Sequence, residues 1–228
     1  MLCIGHRGAM GSAPENTLLS IRKAIELGAD WVEIDVHLAD GQLFVIHDET
    51  LDRTTNGKGK LSDYSFAKLR ALDAGRGEQI PTLQEVIKEA KNKVGLNIEL
   101  KGLATGEAVA IQLLAFDKEH KDQILVSSFL MDELLKVPQI DKTIKLGVLA
   151  GKDVPLAFDW ANKLKAYSIH LSLNQVTTEY VQQAHDAGLK LLVYTVNKKV
   201  DIARMKLIGV DGVFTNYPDR VLSILLSS

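Results

Sequence analysis

Short apolar runs alternate along the chain with longer stretches in which apolar residues recur every three or four positions. The β-like runs are Leu2 to Gly5, Trp31 to Val36, Leu96 to Leu100, Ile124 to Ser127, Ile144 to Leu149, Tyr167 to Leu171, Lys190 to Thr195 and Gly212 to Thr215. Helical periodicity fills the intervals at Asn16 to Leu27, Thr82 to Lys91, Gly106 to Glu119, Asp132 to Val137, Val154 to Lys163, Thr178 to Ala187, Val200 to Ile208 and Pro218 to Leu226. Asn16 stands where it could cap the first helix, and Gly28, Gly188 and Gly209 fall where helices should stop. Strands separated by helices predict parallel pairing, because the helix is the crossover that parallel neighbours need. Within 228 residues, eight such units fit a closed (β/α)8 TIM barrel better than an open doubly wound sheet, which spacing alone leaves standing.

One interval breaks the rhythm. A further β-like run, Gln42 to Ile46, follows the second strand, and no strong helical pattern returns until Thr82. Turn signals at Asn56-Gly57, Gly59, Gly75 and Gly77, with a short helical stretch at Tyr64 to Leu72, predict a small cap inserted at about residues 49–80. No linker or low-complexity tract divides the chain, so residues 1–228 read as one domain.

Composition narrows the partners. A net charge of -2 lacks the basic footprint that nucleic-acid binding needs. No apolar run approaches the roughly 18 residues of a membrane span, and the chain reaches His6-Arg7 too soon for a signal peptide. A soluble cytoplasmic protein acting on a small molecule is the expectation. Cys3 is the single cysteine and sits in an apolar run, where it reads as a small buried hydrophobe.

Chemistry gathers at the strand ends. Glu33 and Asp35 alternate with Val32, Ile34 and Val36, so both carboxylates take one face, about 6.6 Å apart along the strand. Asn97, Glu99 and Lys101 share a face of the next strand in the same way. Three inward carboxylates need either a cation or an inward Glu99–Lys101 ion pair with solvation at the barrel rim. His6 and His47 favour the cation, because both follow β-like runs at the end where such barrels carry their active sites. All-oxygen ligands suit Mg2+ or Ca2+, and also Mn2+, better than zinc. Arg7 and Lys101 could draw an anion into this acidic ring, and two imidazoles could move protons on and off the oxygens of a phosphodiester.

The ordered motifs carry a resemblance. Gly5-His6-Arg7-Gly8, Pro14-Glu15-Asn16-Thr17, Glu33-x-Asp35-Val36, Asp40-Gly41, His47-Asp48, Leu51-x-Arg53-Thr54-Thr55 and Glu99-x-Lys101 resemble the glycerophosphodiester phosphodiesterase family. Ser128-Phe129, Tyr194 to Asn197 and Gly212 to Pro218 extend the likeness over essentially the whole chain. The resemblance implies a (β/α)8 barrel that hydrolyses glycerophosphodiesters to glycerol 3-phosphate and an alcohol. It implies His6 and His47 as the acid/base pair, Glu33, Asp35 and Glu99 as ligands of a divalent cation, and Arg7 and Lys101 as phosphate contacts. Glu15 would touch the site or support Arg7, and Tyr194 would offer apolar contact to glycerol carbons. Tyr194 and Asn216 depart from the family pattern, which often has Trp and Asp there, so substrate preference does not transfer.

Overall fold

The computed structural model describes residues 1–226. In chain order the elements are β1 (Leu2–Gly5), α1 (Leu18–Glu26), β2 (Trp31–Ala39), β3 (Gln42–Val45), α2 (Phe66–Arg70), α3 (Leu83–Ala90), β4 (Gly95–Leu100), α4 (Thr105–Leu113), α5 (Lys118–Lys121) and β5 (Ile124–Ser128). They continue with α6 (Met131–Leu134), α7 (Val137–Ile140), β6 (Lys145–Leu149), α8 (Val154–Leu164), β7 (Ser168–Ser172), α9 (Thr178–Asp186), β8 (Lys190–Tyr194), α10 (Lys199–Leu207), β9 (Gly212–Thr215) and α11 (Pro218–Leu226).

Parallel pairing runs β1-β9-β8-β7-β6-β5-β4-β2, and β2 pairs back onto β1 through Ile4 with Trp31 and Gly5 with Val32. The sheet is therefore a closed eight-stranded barrel with helices outside, as the alternation predicts. β3 is an antiparallel extension of β2, joined through Asp40-Gly41, both at positive φ as a two-residue hairpin turn of this hand requires.

Strand alternation divides the apolar residues into separate clusters. Val32, Ile34, Val36, Ile98, Leu100 and Val126 face the helices, whereas Ile4, Leu125, Leu192 and Phe214 cluster inside the barrel. The second set is a plug that closes the barrel below its C-terminal mouth. A third cluster, with Phe44, Ile46, Leu51, Leu61, Leu69 and Ile80, is the core of the cap over residues 49–80 and is seated on β3.

Local differences have physical causes. Thr17, not Asn16, caps α1: its side chain accepts from Ser20 N, while Asn16 is left-handed at φ 58° and turned into the barrel. The helix expected over Gly106 to Glu119 divides, because Asp117 caps a new start by accepting from His120 N. A second division separates α6 from α7, and Pro138 at the first turn of α7 is where proline is tolerated.

Candidate functional site

The turn after β1 brings the first functional groups together. Gly8 has φ 81°, and a Cβ there would lie 2.5 Å from Ser20 Oγ and 2.6 Å from Ser20 C, so only glycine lets this turn sit against α1. The turn aims Arg7 N at Glu33 Oε2, to which it donates at 2.9 Å. It also places His6 beside Asn216 just beyond β9, with Nδ1 2.8 Å from Asn216 Oδ1. The amide oxygen can only accept, so Nδ1 carries the proton and Nε2 is the nitrogen left to act. Burial first, and the neighbouring Arg7 charge second, hold the His6 imidazole below the ordinary histidine value.

His47 is oriented from the cap. Its Nδ1 lies 2.6 Å from Asp48 Oδ1, and Asp48 accepts from Arg53 Nε at 2.7 Å. The Arg53 hydrogen bonds hold the Asp48 carboxyl well below the usual carboxylate range. Arg53 also donates to both oxygens of Glu15, which accepts from Arg7 Nη1 at 2.7 Å. One guanidinium thus ties the partner of His47 to the partner of Arg7. His37 supports the same segment through Nε2, 2.9 Å from the His47 carbonyl.

Between the histidines lie the three acids expected to converge. Glu33, Asp35 and Glu99 are 2%, 1% and 8% exposed, and each offers an oxygen within 4.8 Å of the others. Asp35 accepts from Asn16 Nδ2 at 2.9 Å and lies 3.2 Å from Arg7 Nε. That last contact is close enough for an ion pair but is too poorly aligned to satisfy the buried Nε. Lys101 Nζ lies 2.8 Å from Glu99 and 3.6 Å from Asp35, so the inward ion pair is present.

Two cations do not balance the cluster, since Glu15 shares Arg7. Burial, with Asp35 and Glu99 beside it, pushes the Glu33 carboxyl well above its ordinary value. Burial and Asp35 push Glu99 up to about 7. Glu33 Oε1 is buried and has no hydrogen-bond partner among the described residues. An orphaned carboxylate oxygen within a hard, all-oxygen donor set fits a divalent cation, so the trio could hold one.

A cavity of ≈ 190 Å³ opens at the barrel's C-terminal mouth. His6, Arg7, Glu33, His47, Glu99, Lys101 and Tyr194 line it, as the sequence led us to expect. Glu15 and Asp35 do not: Glu15 serves Arg7 and Arg53, and Asp35 is held behind the lining by Asn16, Arg7 and Lys101. Tyr194 donates its hydroxyl to Ala150 O at 2.9 Å and meets Phe129 edge-on at 6.0 Å, so it forms an apolar wall rather than a polar contact. Burial, then Glu99, pushes its phenol up to about 12.

Four contributors had no role in the sequence reading. Asn97 was placed on the inward face, and His170 falls near the end of the Tyr167 to Leu171 run, so period-2 alternation was the available signal for both. Asn16 was read as a cap, and Arg53 was noticed only within a motif. Neither bracing role leaves a local pattern, because each partner lies 19 or more residues away in an ion pair or hydrogen bond, apart from Asp48.

Acids and two imidazoles at the mouth of a (β/α)8 barrel suit the class of enzymes that cleave phosphodiesters. The glycerophosphoryl diester phosphodiesterase family matches residues 6–220. A glycerophosphodiester phosphodiesterase of Caldanaerobacter subterraneus subsp. tengcongensis is 37% identical, with 98% of this chain and 97% of that protein covered. Its counterpart in Bacillus subtilis is 35% identical over 96% of this chain and 84% of that protein. Among solved structures, an Oleispira antarctica phosphodiesterase in complex with its product sn-glycerol-3-phosphate superimposes with a TM-score of 0.89. That protein is 31% identical, covering 99% of this chain and 96% of its own. The chain belongs to the glycerophosphoryl diester phosphodiesterase family and is a phosphoric diester hydrolase. Among the described residues, no helix is long and apolar enough to cross a membrane.

Proposed function

We propose that this enzyme hydrolyses glycerophosphodiesters to glycerol 3-phosphate and an alcohol, using a divalent cation held by Glu33, Asp35 and Glu99 and an acid/base pair formed by His6 and His47. The observation that carries this reading is three buried carboxylates with oxygens within 4.8 Å, set between two histidines whose Nδ1 atoms are both engaged. Mg2+ or Ca2+ suits the donor set best, with Mn2+ compatible. When bound, the cation would supply charge neutralisation and Lewis acidity toward a phosphoryl oxygen.

The histidines divide the proton transfers. His6, held neutral by burial and Arg7, accepts the proton of the attacking oxygen at Nε2. His47, whose Nδ1 proton is anchored on Asp48, delivers a proton from Nε2 to the departing alkoxide. The diester and one water become glycerol 3-phosphate and the free alcohol. Arg7 and Lys101 line the cavity and bind the phosphate anion, and Tyr194 with Phe129 packs against glycerol carbons. Residues 1–228 act as one domain, the cap being continuous with β3 through Phe44.

The test is an assay of stripped enzyme on glycerophosphocholine, glycerophosphoethanolamine, glycerophosphoglycerol and glycerophosphoinositol, with EDTA and then with each cation restored. Cation-dependent release of glycerol 3-phosphate is expected. Failure of every cation to restore turnover on any of these substrates would refute the reading.

A further inference from the structure

The cavity has a polar floor that proton transfer and cation binding do not use. His170, on β7, is wholly buried and lines the cavity. Its Nε2 lies 2.9 Å from Ser168 Oγ, while Nδ1 has no partner among the described residues. Its ring leans on Phe214 of the apolar plug, centroids 5.2 Å apart. Space is reserved for this pair on the neighbouring strand. A Cβ at Gly147 would stand 2.7 Å from His170 Nε2 and 3.0 Å from Ser168 Oγ. Asn97 also lines the cavity, and its buried Oδ1 is likewise without a partner. Unpartnered polar atoms inside a folded protein are uncommon because each forfeits its hydration, so two of them on residues that line one cavity point to a ligand that engages this floor.

We propose that His170, with Asn97 also in the cavity lining, is a specificity-determining residue that binds the terminal hydroxyl of the glycerol moiety, the one farthest from phosphorus. This assignment rests on the glycerophosphodiester reading above. The reacting phosphorus belongs near His6, His47 and the three acids, so the far end of a three-carbon arm reaches toward the plug. A closed floor suits the invariant glyceryl group, and the variable alcohol then faces the open mouth. The chemistry matches a hydroxyl, which both donates and accepts. If the Ser168 hydroxyl donates to Nε2, His170 presents Nδ1–H; if it accepts from Nε2–H, His170 presents a bare Nδ1. Asn97 Oδ1 supplies an acceptor in either case. Burial keeps this imidazole neutral, its pKa lowered to about 3, so it offers a hydrogen bond rather than a second charge for the phosphate.

The test compares glycerophosphocholine with the analogue in which propane-1,2-diol replaces glycerol, which keeps the hydroxyl beside the ester carbon and lacks the terminal one. The cation-loaded enzyme should prefer the glycerol substrate in kcat/KM by about 10- to 100-fold, the scale of leaving buried polar groups unpaired. In His170→Leu the ratio should fall toward one, and His170→Gln, which keeps a hydrogen-bonding group, should retain part of it. Equal kcat/KM values in the unmutated enzyme overturn the proposal without any variant, as does an undiminished ratio in folded His170→Leu. Turnover of bis(p-nitrophenyl) phosphate with no turnover of either choline diester or of any of the four glycerophosphodiesters above would instead sink the glycerophosphodiester reading, and this assignment with it.

Discussion

His170 shows how far one side chain's surroundings set its chemistry. Burial lowers its pKa from 6.5 to about 3, so the unfolded chain takes up the proton first as pH falls. Its contribution to stability is then complete above about 6.5 and is lost progressively as pH drops toward 3. Between pH 7.5 and 5.0 this amounts to about 2 kcal/mol. Denaturant titrations at the two pH values should show the parent losing about that much more than His170→Leu, and parallel losses would remove His170 from the acid limb. Glu33 and Glu99, raised in the fold, contribute with the opposite sign, which is why the comparison is between the two proteins. At the reaction centre, His47→Ala should cut kcat by about 100- to 10,000-fold, the span of general acid/base catalysis. Calorimetric cation affinity should stay within a few-fold, since His47 is no ligand; full activity would exclude it from proton transfer. His6 and His47 were legible as candidates from their positions after strands. Their Nδ1 partners, Asn216 and Asp48, were not assigned, because a hydrogen bond depends on side-chain approach rather than on spacing.

Among the elements, α3 was the most legible, since its start carries a complete local signal. Thr82 accepts from Glu85 N, and Glu85 accepts from Thr82 N at 2.8 Å, a reciprocal capping box. Thr82→Ala should cost about 1 kcal/mol, which lowers Tm by about 2–4 °C in a protein of this size; an unchanged melting curve would mean that α3 is held by packing alone. The start of α1 was less legible because Thr17 and Asn16 are both acceptable caps by residue type. Thr17 took the cap and Asn16 braced Asp35, using Nδ2 on the carboxylate and Oδ1 on the Asp35 backbone N–H. Asn16→Ala should therefore weaken cation binding by about 10- to 100-fold, as loss of a group that orients a ligand does. Calorimetry with Mg2+ or Ca2+ checks this, and unchanged affinity would reduce Asn16 to a loop residue.

For the molecule as a whole, a cation held by Glu33, Asp35 and Glu99 would stabilise by mass action, because the unfolded chain cannot hold three carboxylates together. Saturation at about 100 times Kd should add about 2.7 kcal/mol, seen as a rise in Tm that EDTA reverses. No rise with Mg2+, Ca2+ or Mn2+ would count against a cation at Glu33, Asp35 and Glu99. The cap should unfold with the barrel in one transition, since its core includes Phe44 of β3 and Ile46 just beyond it. Arg53 joins it to the site through Glu15 and Asp48. A separate low-temperature transition, removed by deleting residues 49–80, would make it an independent unit.

By itself the sequence determined the strand and helix alternation, the inward face of Glu33, Asp35 and Glu99, and the family. Each is written in periodicity or ordered motifs, which need only neighbours along the chain. Closure of the sheet through β1 and β2, the coexistence of the Lys101 ion pair with an unbalanced acidic trio, and the unpartnered floor at His170 and Asn97 were decided only by the tertiary structure. Those features depend on which atoms meet across the barrel and which are left without a partner after water is excluded. Spacing along one strand carries no record of that.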